Sequence, residues 1–123
     1  MTTTDRELLE RAAKAHGFID DQTSNDEDSH GLRRNGQGIF YVVHKRGWHN
    51  WNPLHEDGDA LRLAVKLGLR VDIGWDKYTV VDWEARNDDD EPGDVEQNFD
   101  GDPYAATRRA IVRAAAAMAG EVE

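Results

Sequence analysis

Three groups of residues have types and spacing that could do chemistry. The densest is acidic. From position 87 to position 107 there is no Lys or Arg, yet the segment carries Asp88, Asp89, Asp90, Glu91, Asp94, Glu96, Asp100 and Asp102. Carboxylates this close in sequence repel one another, and with Pro92 and Gly93 among them they read as an open, solvated loop. Asp88, Asp89, Asp90, Glu91, Asp94 and Glu96 are the candidate partner-binding residues. Their chemistry would be electrostatic: competition for a basic protein surface, in some cases one that normally holds nucleic acid. The second group is cationic and aromatic. Arg62, Arg108 and Arg109 could grip phosphate if they converged near a helix N-terminus. Trp48 and Trp51 could stack a base. Together these five are the candidate site for a small anionic ligand such as a signalling nucleotide. Ordinary helix-surface charge also explains the arginines, since Asp59 lies three residues before Arg62. The third group is His44, His49 and His55, near Glu56, Asp57 and Asp59. Their spacing fits no standard zinc pattern, so no metal is expected.

Catalysis finds little material. The chain lacks GxSxG, HExxH, a P-loop and GxGxxG. Asp72 and Asp82, as cross-strand neighbours, would make an acid/base pair in which one pKa is raised. Ordinary exposed carboxylates on a sheet face explain them equally well. Asp26, Asp28 and His30 resemble the start of a calcium loop, but Gln37 stands where a bidentate Glu is required. The expectation is a non-enzymatic protein without cofactors.

Composition narrows the setting. The 123 residues contain no cysteine, which excludes disulfides, thiolate metal sites and a cysteine nucleophile. A net charge of −10 repels DNA, RNA and anionic membranes and suits a partner with a basic surface. The N-terminus has no apolar signal core, and no apolar stretch approaches the roughly 20 residues that span a bilayer. A cytoplasmic protein of one domain, residues 1–123, is the expectation.

The elements that must position these residues follow from periodicity. A helix is expected over residues 5–16, with Leu8, Leu9, Ala12 and Ala15 on one face, Thr4 or Asp5 as cap and Gly17 as stop. Residues 20–38 read as a polar loop. Residues 39–43 and 48–51 make a first hairpin around a turn at 45–47. A second helix runs over 57–67 to Gly68; Ala60, Leu61, Leu63, Ala64, Val65 and Leu67 leave it so apolar that it should be largely buried. Residues 69–75 and 78–83 make a second hairpin. Residues 84–102 read as loop. Asp102 and Pro103 open a third helix, with Arg109 and Arg113 pointing outward and Gly120 ending it. The predicted class is α+β, in the order α-β-β-α-β-β-α. One four-stranded, mainly antiparallel sheet would lie flanked by helices as a helix–sheet–helix sandwich.

Two blocks carry a resemblance. The first is the run Trp51-Asn52-Pro53-Leu54 through Asp59-Ala60-Leu61-Arg62-Leu63-Ala64-Val65-Lys66-Leu67. The second begins Asp102-Pro103-Tyr104-Ala105-Ala106-Thr107-Arg108-Arg109 and runs to Ala116. With the Leu8-Leu9 helix, they resemble small bacteriophage and prophage proteins with a phage ABA sandwich domain, the NinX-like proteins included. The resemblance covers roughly half the chain. It implies a helix–sheet–helix sandwich and an accessory gene product acting in the bacterial host cytoplasm, and it brings no catalytic residues. In that setting the expected function is binding and inhibition of a host protein, a defence component such as a CRISPR effector among the candidates. The alternative is the binding of small anionic ligands. The acidic segments within 20–38 and 84–102 depart from the usual pattern.

Overall fold

The computed structural model describes residues 4–16, 19–20, 31–34, 40–44, 47–74, 77–85 and 91–119, with backbone alone between 19 and 50. The chain forms α1 (Asp5–His16), β1 (Ile19–Asp20), β2 (Gly31–Arg34), β3 (Phe40–His44), β4 (Gly47–Trp51), α2 (Asp57–Leu67), β5 (Arg70–Ile73), β6 (Tyr78–Trp83), β7 (Gly93–Asn98) and α3 (Pro103–Met118). The class is α+β, as expected.

Two of the helices, α1 and α3, start at side-chain caps. The Thr4 hydroxyl accepts the Glu7 N–H at 3.1 Å and so satisfies one orphan donor of α1. At α3 the Asp102 carboxylate accepts the Ala105 N–H at 3.0 Å, with Pro103 in the first turn. Gly68 ends α2 in the left-handed region, φ 66°, where a Cβ is disfavoured.

The sheets depart from expectation. The two hairpins do not join into one four-stranded sheet. β3 and β4 belong to a sheet ordered β1-β2-β3-β4, and β5 and β6 belong to a second ordered β5-β6-β7. β1 overlaps the start of the stretch read as a polar loop, β2 lies inside it, and β7 lies inside the stretch read as an acidic loop. For β7 the reason is visible. Val95 is buried between Asp94 and Glu96, which are exposed, so the segment alternates with period two. Pairing with β6 sets Val81 opposite Val95 and Trp83 opposite Gly93. Self-repulsion among carboxylates opposes this pairing, and burial of Val95 with a full ladder of backbone bonds outweighs it.

α3 lies across β6 and β7, and both α1 and α2 pack on α3. Ala110 and Ala114 on α3 are fully buried, as is Ala12 on α1, and side chains this small let helix backbones approach closely. Leu8, Leu9, Trp51, Leu54, Leu63, Leu67, Val81, Val95, Ile111 and Val112 complete the core. The helices therefore cover one face of the β5–β7 sheet. Its other face is open: Asp72, Tyr78, Asp94, Glu96 and Asn98 on it are exposed.

Two expected faces are reversed. Leu61 and Val65 on α2 are 63% and 72% exposed, although an apolar circumference predicted burial. Arg113 is half-buried rather than outward. Its guanidinium donates to the Glu96 carbonyl and to Gln97 Oε1, both at 2.9 Å, and ties α3 to β7.

Candidate functional site

The open face of the β5–β7 sheet is built from alternate residues of three strands. Register sets Arg70 opposite Asp82 and Asp72 opposite Val80 on one side. On the other it sets Asp82 opposite Asp94, Val80 opposite Glu96 and Tyr78 opposite Asn98. Residues directly opposite in an antiparallel pair share a face. One surface therefore carries Asp72, Asp82, Asp94 and Glu96 together, with Arg70 as its cation. Glu84 and Glu91 are exposed just beyond the strand ends.

Arg70 donates from Nε to Asp82 Oδ1 at 2.7 Å. That hydrogen bond, and then the charge of Asp82, raise the Arg70 pKa above its ordinary value, so the cation is permanent. The pair is surface-exposed and contributes little to stability. Its consequence is electrostatic: one of the four carboxylates is neutralised, and Asp72, Asp94 and Glu96 remain. Asp94 sits opposite Asp82 with its like charge, an arrangement that weakens strand pairing.

The predicted partner-binding residues divide. Asp94 and Glu96 lie on β7 and project from this face. Glu91 precedes it, exposed, and its carbonyl accepts the Trp83 indole N–H at 3.2 Å. Asp88, Asp89 and Asp90 fall outside the described residues. Asp72 and Asp82 share this face as diagonal neighbours and not as a directly opposed pair: Asp72 faces Val80, and Asp82 is held by Arg70.

The candidate anion-binding residues are not assembled into one site. Arg62 binds Asp59 at 2.7 Å. Arg108 binds Asp57 at 2.7 Å and the Leu54 carbonyl at 2.9 Å. Arg109 binds Asp5 at 2.7 Å. Trp51 is buried, its ring edge-on to His16 with centroids 6.4 Å apart. Trp48 occupies β4 opposite Val43, with only its backbone described. Among the histidines, His55 is exposed, His44 lies opposite Gly47 and His49 opposite Val42. Among the described residues, no three His, Cys, Asp or Glu side chains gather in a way that could hold a metal ion.

The Trp51-Asn52-Pro53-Leu54 block is scaffold. Buried Asp59 accepts the Asn52 N–H at 2.9 Å, and the Asn52 side chain accepts the Leu54 N–H at 3.1 Å. This fixes the entry into α2.

Sequence reasoning missed a groove of about 600 Å³ between α2, α3 and β5, lined by Leu61, Ala64, Val71, Ile73, Tyr104 and Ile111 among others. The signal was present: a helix apolar nearly all round either is buried on every side or presents a face to something absent. Among the described residues no helix is long and apolar enough to cross a membrane. Compared with family models, curated proteins and solved structures, the chain matches none of them.

Proposed function

We propose that this chain is a non-enzymatic bacteriophage accessory protein that binds, and by binding inhibits, a host protein through a basic surface of that protein. The observation that carries the reading is the open face of the β5–β7 sheet. Asp72, Asp82, Asp94 and Glu96 stand on it, with Arg70 as the one cation among the described residues of its strands. A sheet fixes these carboxylates in position, and a partner's basic groove would meet them without ordering a loop first. Complementary charge raises the association rate and sets specificity against acidic competitors. The phage context rests on the resemblance in residues 51–67 and 102–116. A host defence component whose basic groove normally holds nucleic acid is the kind of partner that fits. Binding of a small anion has no comparable support, because Arg62, Arg108 and Arg109 are each engaged by a different carboxylate.

The test is capture from bacterial lysate with the wild type and with a double variant, Asp94→Asn and Glu96→Gln. The wild type should retain a partner with a basic surface, and rising salt should release it, because the Debye length falls from about 10 Å at 0.1 M to about 3 Å at 1 M. The variant should fold and should lose that partner. Equal retention with an equal salt profile would refute the reading.

A further inference from the structure

We propose that two copies of this chain associate about a two-fold axis through the edge of β5, continuing the three-stranded sheet into one of six strands. The inference does not depend on the acidic face having a partner.

β5 is an edge strand, with β6 on one side and no strand on the other among the described residues. An edge presents unpaired N–H and C=O groups and is a template for another strand. Charge, proline, bulges or a covering element normally blunt it. Here the apolar residues do the opposite. Ile73 on β5 is 59% exposed, and next to it across the groove are Leu61 and, one turn further along α2, Val65. Of the exposed large aliphatic residues of the described structure, Leu61 and Ile73 line this groove, and Val65 follows Leu61 by one turn of α2. A concentration of this kind marks an interaction surface.

The occupant follows from the residue pattern of β5, which is self-complementary. In an antiparallel pairing centred on Val71, Val71 meets Val71 of the second copy and Arg70 meets Asp72 in both directions. Leu69 then faces Ile73. Every apolar residue meets an apolar one, and each charge meets its opposite. Shifting the register by one residue sets Val71 against Asp72 and loses both. Arg70 and Asp72 are exposed, and Asp72 forms no ion pair among the described residues. Arg70 would then stand between Asp82 of its own sheet and Asp72 of the second copy. The other edge, β7, behaves in the opposite way. Centred on Val95, its self-pairing would set Asp94 against Glu96 twice, a repulsive arrangement. Only one edge of the sheet is built to meet itself, and an isologous two-fold contact needs one self-complementary patch.

The experiment is sedimentation of the full chain against concentration, with two charge variants and one apolar variant. Wild type should approach twice the 13.9 kDa chain mass. Arg70→Glu places a carboxylate against the Asp72 carboxylate of the second copy, and Asp72→Arg places a guanidinium against that of Arg70. Each variant alone should therefore be monomeric. Mixed in equal amounts, the two should form a heterodimer, because one copy then offers two acidic side chains to two basic ones. Leu61→Lys should also be monomeric, with an unchanged circular dichroism spectrum because the side chain is mostly exposed. Three results would each overturn the proposal: a wild type monomeric at every concentration, a dimer that survives both charge changes, or variants that stay monomeric when mixed. The first would leave the edge and groove to a different chain.

Discussion

Replacing Leu63, Leu61 and Arg113 one at a time by alanine separates the two faces of α2 and the strut to β7. Leu63 is fully buried, within the cluster that holds Leu67, Val81 and Val112. Its truncation should cost about 2–5 kcal/mol, the transfer loss plus an unfilled cavity. For a chain of this length that lowers the melting midpoint by about 3–5 °C per kcal/mol. Leu61, on the opposite side of the helix, keeps little more than a third of its surface buried. Its truncation removes about a third of that transfer term and gains some helix propensity, leaving about 0.5 kcal/mol. Arg113 loses two hydrogen bonds to β7, and partial hydration discounts their charge assistance, so about 1 kcal/mol is expected. The assay is urea denaturation at the lowest workable concentration, where self-association does not add to the apparent stability. Equal losses for Leu61→Ala and Leu63→Ala would refute the assignment of faces on α2, and a silent Arg113→Ala would refute the strut.

Other outcomes follow from single contacts. Asp59→Ala should cost about 2 kcal/mol in the same titration, because it strips the Asn52 N–H of its acceptor and Arg62 of its partner. Gly93→Ala should cost about 1–3 kcal/mol and change tryptophan fluorescence, since a Cβ there would collide with Trp83 Cζ2 and displace the indole. Thr79→Val should cost under about 1 kcal/mol: it keeps the shape and loses one hydrogen bond to the half-buried Thr107 hydroxyl, which water can still reach. Asp94→Asn should raise the thermal midpoint slightly at low salt, by removing a like charge opposite Asp82, and the gain should vanish at high salt.

The helices were legible because their signals are local. A cap, a proline at the first turn and a left-handed glycine fixed Asp5–His16, Asp57–Leu67 and the start at Pro103 without any tertiary information. Tyr78–Trp83 was legible from alternation. What failed was pairing. Whether two hairpins share a sheet depends on contacts far apart in sequence, and nothing local to residues 39–51 or 69–83 decides it. β7 failed for a different reason. Charge density around Asp94 and Glu96 was weighed above the period-two position of Val95, and a single valine is a faint core signal until a partner strand supplies Val81. α2 failed through a one-sided inference: apolarity shows that a helix face seeks cover, not that this chain provides it.

The candidate site was legible in composition and not in geometry. Asp94 and Glu96 were found, but as part of a loop, and the difference changes what their removal should do. Carboxylates on a loop pull a partner in from a distance. They are ordered only on contact, so the association rate carries nearly all their effect. Asp94 and Glu96 stand two residues apart on one strand, about 7 Å, and Asp82 lies across from Asp94 at about 5 Å. Groups held at fixed spacing can each meet a particular cation on the partner, so they also resist departure. Neutralising Asp94 and Glu96 should therefore slow association and speed dissociation of a captured partner. Neutralising Asp88, Asp89, Asp90 and Glu91 should change association and its salt slope, with dissociation unaltered. If the two sets of substitutions gave the same kinetic signature, with the dissociation rate unmoved by either, the ordered face would have no role beyond its charge. The basic partner would then be reading the net charge of −10 and not this surface.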